Sequence, residues 1–260
     1  MTGTVLDSII VGVRADLDRR RRQVPLPELQ RRLRMIAPPR DPMPALRAPG
    51  LSVIAEVKRA SPSKGALAEI PEPDQLAAAY QDGGAAVISV LTEQQHFAGC
   101  LADLDMVRAR VEIPILRKDF IVEEYQVWEA RAHGADLVLL IVAALEDDQL
   151  AALYRLVTDL GMTALVEVHS QAEARRALAC GATLVGVNNR DLRTLQVNPA
   201  TFGRLAAAIG PGVVRVAESG ILTLDDARAA AAAGADAVLV GEALVRDHDP
   251  SNAVARLRGR

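Results

Sequence analysis

The chain has 260 residues, half of them hydrophobic, and a net charge of −3. That length allows one large domain or two small ones around a sizeable core, and the acidic balance argues against general nucleic-acid binding. The two cysteines, Cys100 and Cys180, form no CxxC pair, so neither a metal site nor a disulfide framework is expected, and a reducing cytoplasm is.

Residues 1–50 contain two helical stretches, "VLDSIIVGVRADLDRRRRQ" and "LPELQRRLRMI", followed by a proline-rich connector. They read as an N-terminal extension packed on the rest of one domain spanning 1–260. The first apolar segment is short and its basic run comes after it, which is not a signal-peptide layout. No apolar run is long enough to cross a bilayer. The run Arg19–Arg22 lacks aromatic interleaving and a second basic cluster, so it reads as a solvated helix face.

From residue 51 onward, short apolar runs alternate with helical segments. Strands are predicted over 51–58, 85–91, 113–118, 136–142, 163–169, 183–188, 213–219 and 236–241. They are rich in Val, Ile and Leu without clean alternation, as parallel strands covered on both faces are. The segments between them include Ala-rich helices such as 170–182 and 225–235. Gly-Ala recurs at 84–85, 134–135, 181–182 and 234–235, each time just before a strand, where Gly serves as a helix C-cap. Eight such units predict an α/β fold, a (β/α)8 TIM barrel with an N-terminal helical extension. The alternative, a doubly wound open sheet binding a dinucleotide, lacks a GxGxxG after an early strand.

Only three of the 30 basic residues are lysine: Lys58, Lys64 and Lys118. Unlike arginine, lysine can be tuned to give up its proton. All three lie at strand ends or in the loop after the first strand, which is the end of a barrel that carries chemistry. Glu56 shares the end and the face of the first strand with Lys58, and Glu167, Asn188, Asn189, Arg190 and Glu218 lie at the ends of later ones. Two subsites follow. Ser219, Gly220 and Gly241 offer backbone N–H groups to a phosphate, with Lys58, Ser61 and Ser63 adding donors. Lys118 and Glu167 suit acid–base work on a carbonyl or enol, and a Schiff base at a strand-end lysine is also open. Against these stand plainer readings: Glu56–Lys58 as a structural ion pair, Glu167 as a solvent-facing edge residue, His169 as a loop histidine without a clustered partner. Tyr125 and Trp128 are expected to pack within their helix, and Arg117 to face the helices in an ion pair.

The segments "VIAEVKRASPSKG", "ISVLTEQQHFAG", "PILRKDFIVEEYQVWEARAHGADLVLLIV", "LVEVHS", "VGVNNRDLRTLQV", "VAESGI" and "VLVGEALVR" together resemble the indole-3-glycerol-phosphate synthase family, in order over about residues 50–246. The resemblance implies a cytoplasmic enzyme of tryptophan biosynthesis without metal or organic cofactor. It implies a small anionic substrate, 1-(o-carboxyphenylamino)-1-deoxyribulose 5-phosphate, bearing carboxylate and phosphate. The enzyme closes the indole ring, releases CO2 and loses water. Lys118 matches the family's general acid, Glu167 its acid–base partner, and Glu56 and Lys58 the substrate-orienting and catalytic pair. Asn188, Arg190 and Glu218 match positioning residues, Ser61 a substrate contact, Ser219, Gly220 and Gly241 the phosphate cradle, and Phe97 and Phe120 apolar contacts with the aromatic ring. Glu242 stands where some relatives have a phosphate-binding serine, so its side chain is expected to point away. No nucleic acid or membrane partner is expected, the oligomeric expectation is a monomer or weak homo-oligomer, and the length suits a monofunctional form. A phosphoribosyl isomerase and a non-catalytic barrel are the alternatives, and the Glu56, Lys58, Lys118, Glu167 and Asn188 set fits them less well.

Overall fold

The computed structural model describes residues 4–259. Helix α1 (Val5–Gln23) begins with a capping box. The Thr4 hydroxyl accepts the Asp7 N–H at 3.2 Å, and the Asp7 carboxylate accepts the Thr4 N–H at 2.8 Å. Leu6, Ile9, Val13 and Leu17 recur at helical spacing and are buried, so α1 lays one apolar face on the rest of the chain. Helix α2 (Leu26–Arg32) carries Pro27 in its first turn, where a missing N–H costs nothing. The connector holds a short helix not predicted from sequence, α3 (Met43–Leu46), pinned by the fully buried Leu46. The Arg40 N–H donates to Asp136 at 2.7 Å and fixes the connector to the barrel.

Eight parallel strands close into a barrel: β1 (Ser52–Val57), β2 (Val87–Leu91), β3 (Ile115–Lys118), β4 (Leu137–Ile141), β5 (Thr163–Val168), β6 (Leu184–Asn188), β7 (Val214–Glu218) and β8 (Ala237–Val240). β1 pairs with both β2 and β8, so no sheet edge is left open. Around it run α4 (Pro73–Asp82), α5 (Leu101–Arg110), α6 (Glu124–Ala132), α7 (Asp147–Asp159), α8 (Gln171–Ala179), α9 (Ala200–Ile209), α10 (Leu224–Ala232), α11 (Glu242–Val245) and α12 (Pro250–Leu257). A small antiparallel pair, Ala60–Ser61 with Gly65–Ala66, folds the loop after β1. Nearly every strand residue is buried, as the lack of alternation predicts. Each fully buried Val, Leu or Ile contributes roughly 1.5–3 kcal/mol.

The Gly-Ala pairs are the joints between helix and strand. Gly84, Gly134, Gly181 and Gly234 have φ of +88°, +78°, +89° and +97°. The alanine that follows each one donates its N–H to a carbonyl five residues back, as in Ala135 to Ala130 and Ala235 to Ala230. That is a Schellman closure, which an L side chain at the glycine would strain.

Two expectations about charged residues meet different outcomes. Arg117 is fully buried on the helix side of β3, opposite Lys118, and pairs with Asp119 at 2.9 Å and Glu129 of α6 at 3.0 Å. Asp119 also accepts the Thr92 hydroxyl at 2.6 Å and the Phe120 N–H at 2.8 Å, so it turns the chain that presents Phe120. The basic run of α1 is a correction: it is not simply a solvated face. Arg20 pairs with Glu129 at 2.9 Å, Arg21 pairs with Glu123, and Arg21 lies 5.3 Å from the Tyr125 ring centroid. Pairs that span two elements hold α1 against α6. Tyr125 itself packs with Leu17 and Leu29 and donates its hydroxyl to the Val24 carbonyl at 2.8 Å, with Trp128 alongside. These aromatics bind the extension rather than filling their own helix.

Among the described residues, no helix is long and apolar enough to cross a membrane.

Candidate active site

Every strand of the barrel contributes to one cavity at its C-terminal end. Glu56, Leu91, Lys118, Ile141, Glu167, Asn188, Glu218 and Leu239 come from β1 to β8 in turn. Alternation turns these residues inward, and the strand ends are where apolar filling stops. All thirteen site residues expected from sequence line this cavity. Asn189 does not: its side chain donates to the Ser219 carbonyl at 3.0 Å and accepts the Phe202 N–H at 3.0 Å, holding two loops. Lys64 stays on the rim, about half exposed.

Lys118 is the centre. Its Nζ lies 3.4 Å from Glu167 Oε2 and 3.4 Å from Glu218 Oε2. Burial opposes its charge, but Glu218, Glu167 and Glu56 outweigh burial and hold Lys118 protonated, well above the ordinary lysine range. The neighbourhood is therefore one of carboxylates, which favour the charged amine. The two glutamates respond in opposite senses. Burial pushes Glu218 up to about 8, with Lys118 opposing and Glu167 reinforcing. Burial also pushes against the Glu167 charge, yet Lys118, His169 and the Asn188 amide prevail and hold it below its usual value. Asn188 Nδ2 donates to Glu167 Oε1 at 3.2 Å. Glu167 is 1% exposed, so the solvent-facing reading of it is set aside. One carboxylate stays ionised beside a charged amine, and the other is poised to hold a proton.

The opposite wall carries Lys58, whose Nζ is 3.2 Å from Glu56 Oε1 and 5.6 Å from the Phe97 ring centroid. Phe97 and Phe120 are tilted by 42° with centroids 6.1 Å apart. Two of the chain's three phenylalanines thus form an apolar wall beside two ammonium groups. On the loops after β7 and β8, Ser219 and Gly220 both take positive φ, +64° and +81°. A Cβ on Gly241 would meet Glu56 Oε1 at 2.5 Å, and one on Gly220 would meet Val197 at 2.9 Å. Backbone is bared at these positions because side chains do not fit. Ser61 Oγ is 3.5 Å from Ser63 Oγ. Arg190 donates to the Leu195 carbonyl at 2.9 Å, and its N–H to Asn188 Oδ1 at 2.9 Å. The Glu242 carboxylate is held at the rim, 3.1 Å from Arg246 and 4.0 Å from Lys64.

Three features of the site escaped the sequence reading. Val5, Leu6 and Ile9 of α1 line the cavity, so the extension helps to wall it. His169 has partners after all: Glu167 at 3.4 Å and Glu173 at 3.2 Å. The third, Gly186, had a visible signal, a glycine inside the valine-rich strand "LVGVN". A Cβ there would sit 2.0 Å from Glu218 Oε1, so this glycine makes room for the carboxyl group. Gly186→Ala is expected to displace Glu218 and lower kcat by about 10²-fold, as a misplacement of about 1 Å does. A melting curve close to the parent's, measured beside the steady-state rates, separates this from unfolding.

Residues 6–257 match the family model described as indole-3-glycerol phosphate synthase. The chain is similar to the indole-3-glycerol phosphate synthases of Mycobacterium sp. strain KMS and Nocardioides sp. strain JS614. Each is 60% identical over 256 residues, covering 98% of this chain and 94% and 98% of theirs. Among solved structures, it is similar to a 3-hexulose-6-phosphate synthase from Salmonella typhimurium, with a TM-score of 0.66 at 15% identity over 80% of this chain and 97% of that one. A thiamine phosphate pyrophosphorylase from Pyrococcus furiosus gives 0.61 at 18% identity over 82% and 96%. At such identities the structural likeness is one of fold alone.

Proposed function

The chain belongs to the indole-3-glycerol phosphate synthase family of carboxy-lyases, and from that premise we propose that its whole length acts as one domain with Lys118 as the general acid of ring closure and Glu167 as its acid–base partner. The observation that carries this assignment is the half-buried Lys118 ammonium, 3.4 Å from two carboxylates and open to a cavity walled by two phenylalanines.

The substrate is 1-(o-carboxyphenylamino)-1-deoxyribulose 5-phosphate. Its ring stacks beside Phe97 and Phe120, and its phosphate lies on the bared backbone of Ser219, Gly220 and Gly241, with Ser61 contributing a hydroxyl. Arg190 and Lys58 add positive charge for the two anionic groups, and Glu56 orients Lys58. An aromatic carbon attacks the carbonyl. The oxygen becomes a stronger base than an amine as the C–C bond forms, so the Lys118 proton moves to it. CO2 then leaves and its bonding pair returns to the ring. Glu167 serves the proton transfers of closure and of the dehydration that follows, held in place by Asn188, and Glu218 positions the lysine. The acid of dehydration is Glu167 or Lys58.

The expected result with purified protein and this substrate is the growth of indole absorbance together with release of CO2. Substrate left unchanged under conditions that support a family relative overturns the reading.

A further inference from the structure

A second cavity adjoins the first, and His169 stands between them. Glu167 lines the reaction cavity; His169, Ser170 and Glu173 line the other, and Asn188 borders both. The His169 Nε2 lies 3.4 Å from Glu167 Oε1, buried and without a hydrogen-bond partner. Its Nδ1 is 3.2 Å from Glu173 Oε2, the same oxygen that accepts the His169 backbone N–H at 2.8 Å. The Ser170 hydroxyl donates to the other Glu173 oxygen at 2.9 Å. One edge of the ring is clamped, and the other lies beside the carboxylate assigned to proton transfer, close enough for a small turn of the ring to join them.

Stoichiometry gives that edge something to do. With the substrate carboxylate ionised, ring closure puts one proton on the carbonyl oxygen, and dehydration puts a second on the leaving hydroxyl. One proton comes back from carbon as the ring double bond forms. The products are CO2, water and the phosphate ester, so each turnover draws one net proton from solvent. Glu167 is 1% exposed, and a substrate bound as proposed above closes off its reaction side.

We propose that His169 is the proton donor that recharges Glu167, supplied from the second cavity. The inference rests on the acid–base role given to Glu167 above. In the step, the Nε2–H bond breaks, its electron pair stays on Nε2, and the proton forms the Oε1–H bond of Glu167. The ring, now neutral, is held less firmly by Glu173. Rotation about Cβ–Cγ turns Nε2 to the second cavity, where water returns the proton.

The charged groups facing the ring are Glu167 on β5, Glu173 on α8 and Glu218 on β7. Asp7 of α1, Arg176 of α8 and Arg193 of the loop after β6 line the cavity beyond. Burial works against charge on the imidazole, but the three carboxylates prevail and hold it above its ordinary value, which favours the loaded donor.

His169→Ala is expected to lower kcat by about 10²-fold, the low end for a positioned acid–base group, while KM is unchanged. Added imidazole is expected to restore part of kcat saturably, following the imidazolium fraction as pH is varied. His169→Asn, which fills more of the space and is checked by its melting curve, is expected to lose kcat to the same extent. Parent-like kcat in both variants overturns the proposal. So does a loss that no buffer acid restores, because the ring then serves only to position Glu167. Glu167→Gln separates the two levels. Its near-normal turnover would sink the underlying assignment, whereas its inactivity beside an unaffected His169→Ala sinks the donor alone.

Discussion

Lys118→Ala is expected to lose about 10²- to 10⁴-fold in kcat and to melt near the parent temperature. The loss follows from removing the one ammonium that, among the described residues, reaches both Glu167 and Glu218, the group assigned to protonate the carbonyl. Survival of the fold follows from the same geometry. Without the lysine, two buried carboxyl groups face one another, and one proton between them relieves the repulsion. Glu218, already raised by burial, is the group that takes it. Lys118→Arg keeps the charge but cannot release a proton in the working range. It is therefore expected to be nearly as inactive as the alanine variant in the indole-formation assay. Substantial turnover in the arginine variant would make the role purely electrostatic. Near-parent turnover in the alanine variant would remove Lys118 from the chemistry altogether.

The second large effect is on stability and sits one residue away. Arg117→Leu is expected to cost about 3–5 kcal/mol, read as a lower urea midpoint with an unchanged slope. Arg117 is fully buried, with Asp119 at 2.9 Å and Glu129 at 3.0 Å, and it donates to the Gln126 carbonyl at 3.0 Å and the Thr92 hydroxyl at 3.1 Å. Leucine takes a cation away from two buried carboxylates, and the uncompensated charge is what destabilises. Arg20 still reaches Glu129 at 2.9 Å, so Asp119 bears most of the loss. Since Asp119 accepts the Phe120 N–H, the variant that remains folded is also expected to bind substrate more weakly. A midpoint within experimental error of the parent's would show that this pair contributes little.

Adjacent residues Arg117 and Lys118 therefore have separate fates, and that much was legible in the sequence. Strand alternation sends one to the helices and the other to the barrel interior. The same rule placed Glu56 with Lys58 and put Glu167, Asn188 and Glu218 at one mouth. The parts that were not legible depend on distant neighbours. Nothing within "VLDSIIVGVRADL" says that Leu6 and Ile9 will wall a cavity formed by eight strands. The partners of Arg20 and Arg21 are Glu129 and Glu123, about a hundred residues on, so the basic run looked solvated. His169 looked isolated among the histidines because its partners are glutamates, one of them four residues along α8. Gly186 was readable: a glycine amid strand-forming valines marks a close approach, and here the approaching group is the Glu218 carboxyl.

The scarcity of lysine has a practical side. Amine-directed acylation needs a neutral, accessible nitrogen, and this chain offers it three ε-amines. Lys64 side-chain exposure is 53%, Lys58 is 22%, and Lys118 is 14%. Lys118 is also held as an ammonium by its carboxylates, which is expected to slow its acylation further. The expected labelling order is Lys64, then Lys58, with Lys118 last. Peptide masses from such an experiment give occupancy of the cavity as protection of Lys58, with Lys64 as an internal standard on the same molecule and no reporter group introduced.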